Sequence, residues 1–547
     1  MTFSNTIGTV LPHSTPRPHG WLDRWPVLLL VCLAAIAPLL VVDIPPLVDL
    51  YGHLGRYAVQ TELAQRPALQ PFYSYEWKLI GNLGADILVQ LFHPVLGLEA
   101  SVRLVVILTQ LLGAISLLLL SREVHGRVTP FALAAIPLIY GYPFNYGFIN
   151  YTLSMALAML AFVAWRRLHR AGHGVAAQLW LAVAGAAIWV AHTYGWAFLG
   201  LLTGSAMLCE VIAERRRPVH AVARILAACW PLLLPVIPMV IWRAESSGAA
   251  MSGWAWQFKL NWLMSPLRNY WRDFEIGAVV VMGLLMVWAL FSRNVRYHRS
   301  LALAAVLCFV FFAVLPFRVF GSAFADMRLL PYAIALALVA IGPVRPGSRV
   351  LMAASIVALA LFAACLAATG IAYVRQDRIV EAALPALDRL PNGARVAFIV
   401  VKSCRNLWAV APLDHLAGAA LARKDAFVND QWQQPGVNPL IVHYPAGEPF
   451  TRDPSHLVQR DDCVAPARPR LTPTLAKLPP GAFSHLWIVG QYPQDLAAPE
   501  GFEPVPIAGT GLLYAARTTK AGDEGREGLS AGDAPAQLPL LHQRRAR

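Results

Sequence analysis

Asp49, His53, Arg56 and Gln60 follow one another at i, i+4, i+7 and i+11 within the stretch Asp43 to Tyr57. That spacing sets four polar side chains on one face of an α-helix. A carboxylate, an imidazole and a guanidinium on one face are the parts needed to take a proton from a hydroxyl and to hold charge while doing so. Asp49 is the candidate base; Asp43, His53 and Arg56 are candidates for a second acid or orienting groups. Pro45-Pro46 suit the approach to a helix start, and Leu47, Leu50, Leu54 and Tyr57 form an opposite, apolar face. The plainer alternative is an interfacial helix whose polar face is simply solvated.

Two further groups carry charge. Arg318 and Arg328 bracket a short connection that also holds Asp326, and Arg272 stands beside Arg268 and Asp273 among Trp254, Trp256, Trp262, Tyr270 and Trp271. The tryptophans by themselves fit an interfacial aromatic belt. The arginines suit an anion such as a phosphate, with Arg318 and Arg328 as the main pair and Arg272 as a third member. A local ion pair of Asp326 with Arg328 or Arg318 is the alternative. Asn145 and Asn150, near the outer end of one apolar run, and His192, at a turn between two others, are candidates to line the same cavity or ordinary hydrogen-bonding residues at helix ends.

The elements that must position these groups are set by a bilayer. The 547 residues are 57% hydrophobic and 14% charged, with a mean hydropathy of +0.52, outside the range of soluble domains and inside that of multi-spanning membrane proteins. The net charge of +14 sits in short arginine clusters between apolar runs, which orients a membrane protein and argues against a nucleic-acid partner. We expect a membrane all-α fold, a polytopic bundle of about eleven transmembrane helices. The anchor is Trp25 to Val42, and the other runs are roughly 99–121, 129–143, 146–168, 175–191, 193–213, 222–243, 275–292, 299–316, 327–343 and 349–373. The run 129–143 is short enough to be tilted or re-entrant. The amphipathic segment Asn82 to Leu98 is taken not to cross. With residues 1–24 cytoplasmic, Arg122/Arg127, Arg166/Arg167/Arg170, Arg215 to Arg217 with Arg224, Arg293/Arg296/Arg299 and Arg345/Arg349 all fall inside, as the positive-inside bias requires. Loop 43–98 and everything after 373 are then outside.

Beyond 373 proline, charge and turn residues rise and short β-like runs appear at Arg395 to Val401, His485 to Gly490 and Gly511 to Ala515, with helix-like Ile379 to Leu390 and Leu413 to Arg423. The expectation is a small α/β domain over 374–517, followed by a disordered tail, 518–547. Of seven cysteines, Cys32, Cys209, Cys229, Cys308 and Cys365 lie in apolar runs and read as small core residues. Cys404 and Cys463, in the polar part, suit either a disulfide in an oxidising compartment or two thiols. No CxxC or His/Cys ligand spacing occurs, nor any phosphate loop, dinucleotide fingerprint, nucleophile elbow or HExxH.

An anchor, then a long outside loop bearing Pro45-Pro46-Leu47-Val48-Asp49-Leu50-Tyr51-Gly52-His53-Leu54, many spans and a soluble outside domain together resemble the integral-membrane glycosyltransferases of the C type, the GT-C fold. The resemblance implies a polyprenyl-phosphate-linked sugar donor, a glycan, lipid or protein acceptor, and a multi-pass protein of the bacterial inner membrane with its C-terminal domain outside. It assigns Asp49 as the base or the acceptor-orienting acid. The usual pattern often has two acids close together, whereas here the nearest other acid is Asp43; a divalent metal therefore lacks the support of a paired acidic motif. The competing classes are a lipid or glycan transporter, for which mid-membrane charge and matching halves are missing, and a non-catalytic assembly or sensor protein.

Overall fold

The computed structural model describes residues 21–245, 251–254, 256–319, 323–345, 348–433 and 437–517. Most of the N-terminal segment expected to be cytoplasmic, and the tail 518–547, lie outside the described residues. The apolar runs fold into helices: α1 (Trp25–Leu40), α2 (Leu50–Glu62), α3 (Gly84–Leu96), α4 (Leu98–His125), α5 (Ile149–Arg170), α6 (Gly174–Ala191), α7 (Thr193–Ala213), α8 (Arg272–Phe291), α9 (Arg299–Val314), α10 (Leu329–Val339) and α11 (Arg349–Ala383). α5 is the central post, packed against α4, α6 and α7, and α10 lies along α9.

Among the described residues six helices are long and apolar enough to cross a membrane, or seven if the pair Pro218–Leu233 and Val236–Trp242, bent by 50°, counts as one span. The expected eleven is therefore not reached on length. α1, α9 and α10 are short apolar helices. α10 is short because all of its residues are buried inside the protein, so the hydrocarbon thickness does not set its length. The run 129–143 is not one helix. Pro130, Pro137 and Pro143 break it into Pro130–Ala135, a 3-10 turn Ile136–Tyr140 and Tyr142–Tyr146.

The basic clusters meet at one end of the bundle. Glu123 draws in Arg166, Arg167 and Arg170, His298 lies 3.3 Å from the Arg166 guanidinium, and His125 bonds the carbonyl of Val339. The segment that starts there, with Val128 N–H on the Asp23 carboxylate, ends beside the loop that carries Asp49, where Asn145 O accepts from Val48 N–H.

α3 is a fourth short apolar helix. Its apolar stripe Ile87, Leu91 and Val95 is exposed, while its polar side docks on α2: Gln90 bonds Gln60, and His93 bonds Glu62 at 2.6 Å. The pattern is that of an amphipathic helix with its polar side on protein and its apolar side turned outward. α11 runs unbroken past residue 373 to Ala383, so the boundary expected at 374 falls inside a helix. Its 35 residues extend about 52 Å, well beyond a hydrocarbon core of about 30 Å. The excess carries the C-terminal domain.

That domain is a sheet of β2 (Arg395–Lys402), β3 (Phe427–Val428), β5 (Leu457–Gln459), β6 (His485–Gly490), β7 (Phe502–Val505) and β8 (Leu512–Ala516). The order is β7-β8-β6-β2-β3, with β5 also beside β2. β3, β5 and β6 run parallel to β2, and β8 is antiparallel to β6. Val396 to Val401 and Leu486 to Val489 are buried, which explains their unbroken apolar sequence. A separate ladder pairs β1 (Tyr73–Tyr75), in the loop 43–98, with β4 (Leu440–Val442), so loop and domain are stitched together. Helix α12 (Gly418–Lys424) packs on α2. Cys404 and Cys463 form a disulfide, and the other five cysteines are free and at least partly buried.

Candidate functional site

Asp49 stands at the N-terminal boundary of α2, its carbonyl accepting from His53 N–H. Its own N–H bonds Tyr146 O at 3.0 Å. This close approach of two backbones depends on Gly147, at φ 110°, where a Cβ would lie 2.9 Å from Asp49 N. The carboxylate accepts no hydrogen bond among the described residues; its nearest charged partner is His415 Nε2, 3.8 Å away. Burial, then Asp453 and Asp414, push the Asp49 carboxyl well above the usual range, and Arg328 opposes them. A carboxylate so placed holds a proton more strongly than an exposed one, as a general base requires.

α2 is not the half-solvated helix its sequence pattern suggests. Nine of its residues are buried, Arg56 among them at 2% exposure. The reason lies far away in sequence, where Trp432, Gln431 and Gly418 cover Gly52 and Gly55. His53 stacks near Trp432, ring centroids 5.1 Å apart, and burial together with Arg56 keeps its imidazole neutral. Arg56 does not hold the charge of Asp49. It forms a buried ion pair with Asp86 of α3, whose carboxylate also accepts from Asn150 at 3.0 Å and Tyr75 at 3.2 Å.

One cavity of about 2170 Å³ gathers most of the expected site. Asp49, His53, Arg56, Asn150, His192, Arg272, Arg318 and Arg328 all line it. Asp326 does not pair with either arginine; it is the buried partner of Lys259, at 3.0 Å. Arg318 and Arg272 are exposed to the cavity. Arg328 is buried, its guanidinium 4.1 Å above the Phe148 ring, with one nitrogen donating to Ala323 O and another 3.4 Å from His192 Nε2. His192 Nδ1 accepts from Tyr194 N–H, which places the proton of the neutral ring on Nε2, facing the same space as the guanidinium.

Two expected residues fall elsewhere. Asp43 is fully exposed, 3.4 Å from Arg103, and is not part of the cavity wall. Asn145 is a buried brace, donating to Tyr140 O and Arg268 O and accepting from Tyr373 OH.

The opposite wall is the C-terminal domain, which sequence reasoning left without a role. The carboxyl ends of β2 and β6 open onto the cavity through Lys402, Ser403, Gly490 and Gln491, together with Asp414, His415, Trp432 and Asp453. Ligands commonly sit beyond the carboxyl ends of parallel strands. Arg268 ties the two walls, donating to Trp408 O and Leu407 O at 2.7 Å each. Nothing in the spacing of these residues marks them, because they converge from separate turns. Phe258, Trp262, Met264, Phe317 and Phe324 make the membrane-side lining apolar.

No family model matches the chain, and no curated protein does. Among solved structures, the chain is similar to crystal structures of ArnT from Cupriavidus metallidurans. In the apo state the identity is 15% and the TM-score 0.48, covering 89% of this chain and 97% of that one; bound to undecaprenyl phosphate the figures are 14%, 0.44, 91% and 99%.

Proposed function

We propose that this chain is a membrane glycosyltransferase that moves a sugar from a polyprenyl-phosphate donor to a glycan, lipid or protein acceptor on the outer side of the membrane. The observation that carries the reading is that Asp49, a buried carboxylate with no hydrogen bond among the described residues, and three arginines, Arg272, Arg318 and Arg328, line one cavity. In the reaction the acceptor oxygen bonds to the anomeric carbon, the bond from that carbon to the phosphate oxygen breaks, and the acceptor proton passes to Asp49. The departing phosphate gains charge, which the arginines offset. The apolar membrane-side lining suits an isoprenoid chain.

The site lies outside in this reading because the basic clusters sit at the other end of the bundle. Eleven crossings result when α1, α9, α10 and the broken segment 130–146 are counted with the longer helices and the bent pair. The Cys404–Cys463 disulfide fits the same side. The test is full-length protein in nanodiscs supplied with polyprenyl-phosphate-linked hexoses and pentoses, reading release of polyprenyl phosphate by mass spectrometry. Release that is lost in Asp49→Asn supports the reading; folded protein that releases none from any donor, with membrane extract supplied as acceptor, sinks it.

A further inference from the structure

We propose that His415, Asp453 and His456 form a divalent-cation site in the wall of the cavity, of the type that selects zinc. The three side chains come from two separate turns of the C-terminal domain, yet one donor atom from each lies within 4.8 Å of the others. His456 is the decisive residue. It is 0% exposed, and neither ring nitrogen finds a hydrogen-bond partner among the described residues. The Asp414 backbone comes near without completing a bond, and Asp453 Oδ1 stands 3.9 Å from His456 Nδ1. A buried imidazole with two idle nitrogens is costly unless something occupies one of them.

His415 is already oriented as a ligand. Its Nδ1 donates to Asp430 O at 2.9 Å, which fixes the tautomer and leaves the Nε2 lone pair free, the arrangement common behind metal-bound histidines. That Nε2 faces Asp49 at 3.8 Å. Lys402 holds Asp414 at 2.5 Å, while neither Asp49 nor Asp453 has a lysine or arginine within ion-pair distance among the described residues. A cation here would meet two neutral imidazoles and one carboxylate, with its remaining position open toward the cavity. Imidazole donors favour zinc over magnesium or calcium, and three protein ligands with one open position are the zinc arrangement that accepts a water or substrate oxygen. The donor atoms must draw in to about 3.3 Å of one another, a side-chain adjustment. The other convergent set, Cys404, Asp462 and Cys463, is closed by its disulfide.

The site rests on the C-terminal domain and does not require the transferase reading, so its test reads metal and not turnover. Full-length protein purified without chelator is expected to hold about one zinc per chain by elemental analysis. After chelation and reloading with Co²⁺ it should show the intense visible bands of a four-coordinate ion. His456→Asn and His415→Asn should each lower the zinc content at least tenfold, while His443→Asn, on an exposed histidine bonded to Ser74, should not. If the ligand variants do not fold, X-ray absorption of the zinc-loaded parent must show two imidazole shells. Only trace zinc in folded parent that gains none on dialysis against Zn²⁺, or full zinc retained in both ligand variants, overturns the proposal.

Discussion

Nε2 of His415 lies 3.8 Å from Oδ1 of Asp49, so the loop 43–98 and the C-terminal domain meet at the carboxylate we propose as the base. Asp49→Asn keeps the shape of the side chain and removes its proton acceptor. Turnover is expected to fall by roughly 100-fold or more, with size-exclusion profile and thermal unfolding temperature kept, since the carboxylate has no hydrogen bond among the described residues to lose. Normal product from Asp49→Asn would move attention to Asp453 and Asp414, which share the cavity, and not to the exposed Asp43.

The two leading arginines should separate in their effects. Arg318→Gln changes a side chain exposed in the cavity and is expected to raise the donor KM with little change in unfolding temperature. Arg328→Gln also removes the stack on Phe148 and the bond to Ala323 O, so it should lower both donor use and stability. Equal donor dependence in Arg318→Gln and parent would assign that arginine to structure.

Asp86 is the hub that holds α3 on α2. Replacing it with Ala leaves Arg56 as an uncompensated buried charge and is expected to cost about 3–5 kcal/mol, read as a lowered midpoint in chemical or thermal unfolding. Paired replacement, Asp86→Ala with Arg56→Met, should recover much of that loss.

Glu62 offers a pH test of the same joint. Burial pushes its carboxyl up, but hydrogen bonds from His93 and Arg66 outweigh burial and hold it below its ordinary 4.5. The folded protein therefore binds fewer protons here than the unfolded chain, and the stabilisation is present above the ordinary glutamate value and lost as pH falls through the depressed one. Glu62→Gln is expected to be less stable than the parent at neutral pH, with the difference closing below pH 4.5. A constant difference across that range would contradict the assignment.

Alkylation of denatured, unreduced protein should modify five of the seven cysteines, and all seven after reduction. Seven modified without reduction would argue against an oxidising side for the C-terminal domain.

Much of the bundle was legible because each apolar run is a local signal, and the polar residues at run ends, Asp49, Arg272, Arg318 and Arg328, stand out against it. What stayed hidden depends on contacts between distant segments. The burial of α2 is decided by Gly418 and Trp432, the partner of Arg56 by Asp86, and the partner of Asp326 by Lys259; none of these follows from periodicity. Asn145 and Asp43 show the opposite error, since a polar residue near a candidate site in sequence can be a brace or can face water. His415, Asp453 and His456 have no telling spacing because two turns of a sheet domain bring them together. The shortness of the run 129–143 marked it as tilted or re-entrant, but its division at Pro130, Pro137 and Pro143 was not read from the sequence.

Gly418, on α12, leaves no room for a side chain: a Cβ there would run into the carbonyl oxygen of Tyr51 on α2. The seam is main chain against main chain, so its fit is written in two places in the gene that no local mutation can adjust together. A variant with a larger residue at 418 would have to re-route the loop that carries Asp49, and a chimera taking the C-terminal domain from another protein would inherit a roof cut for a different floor. A working exchange of either segment is therefore expected to need the other with it.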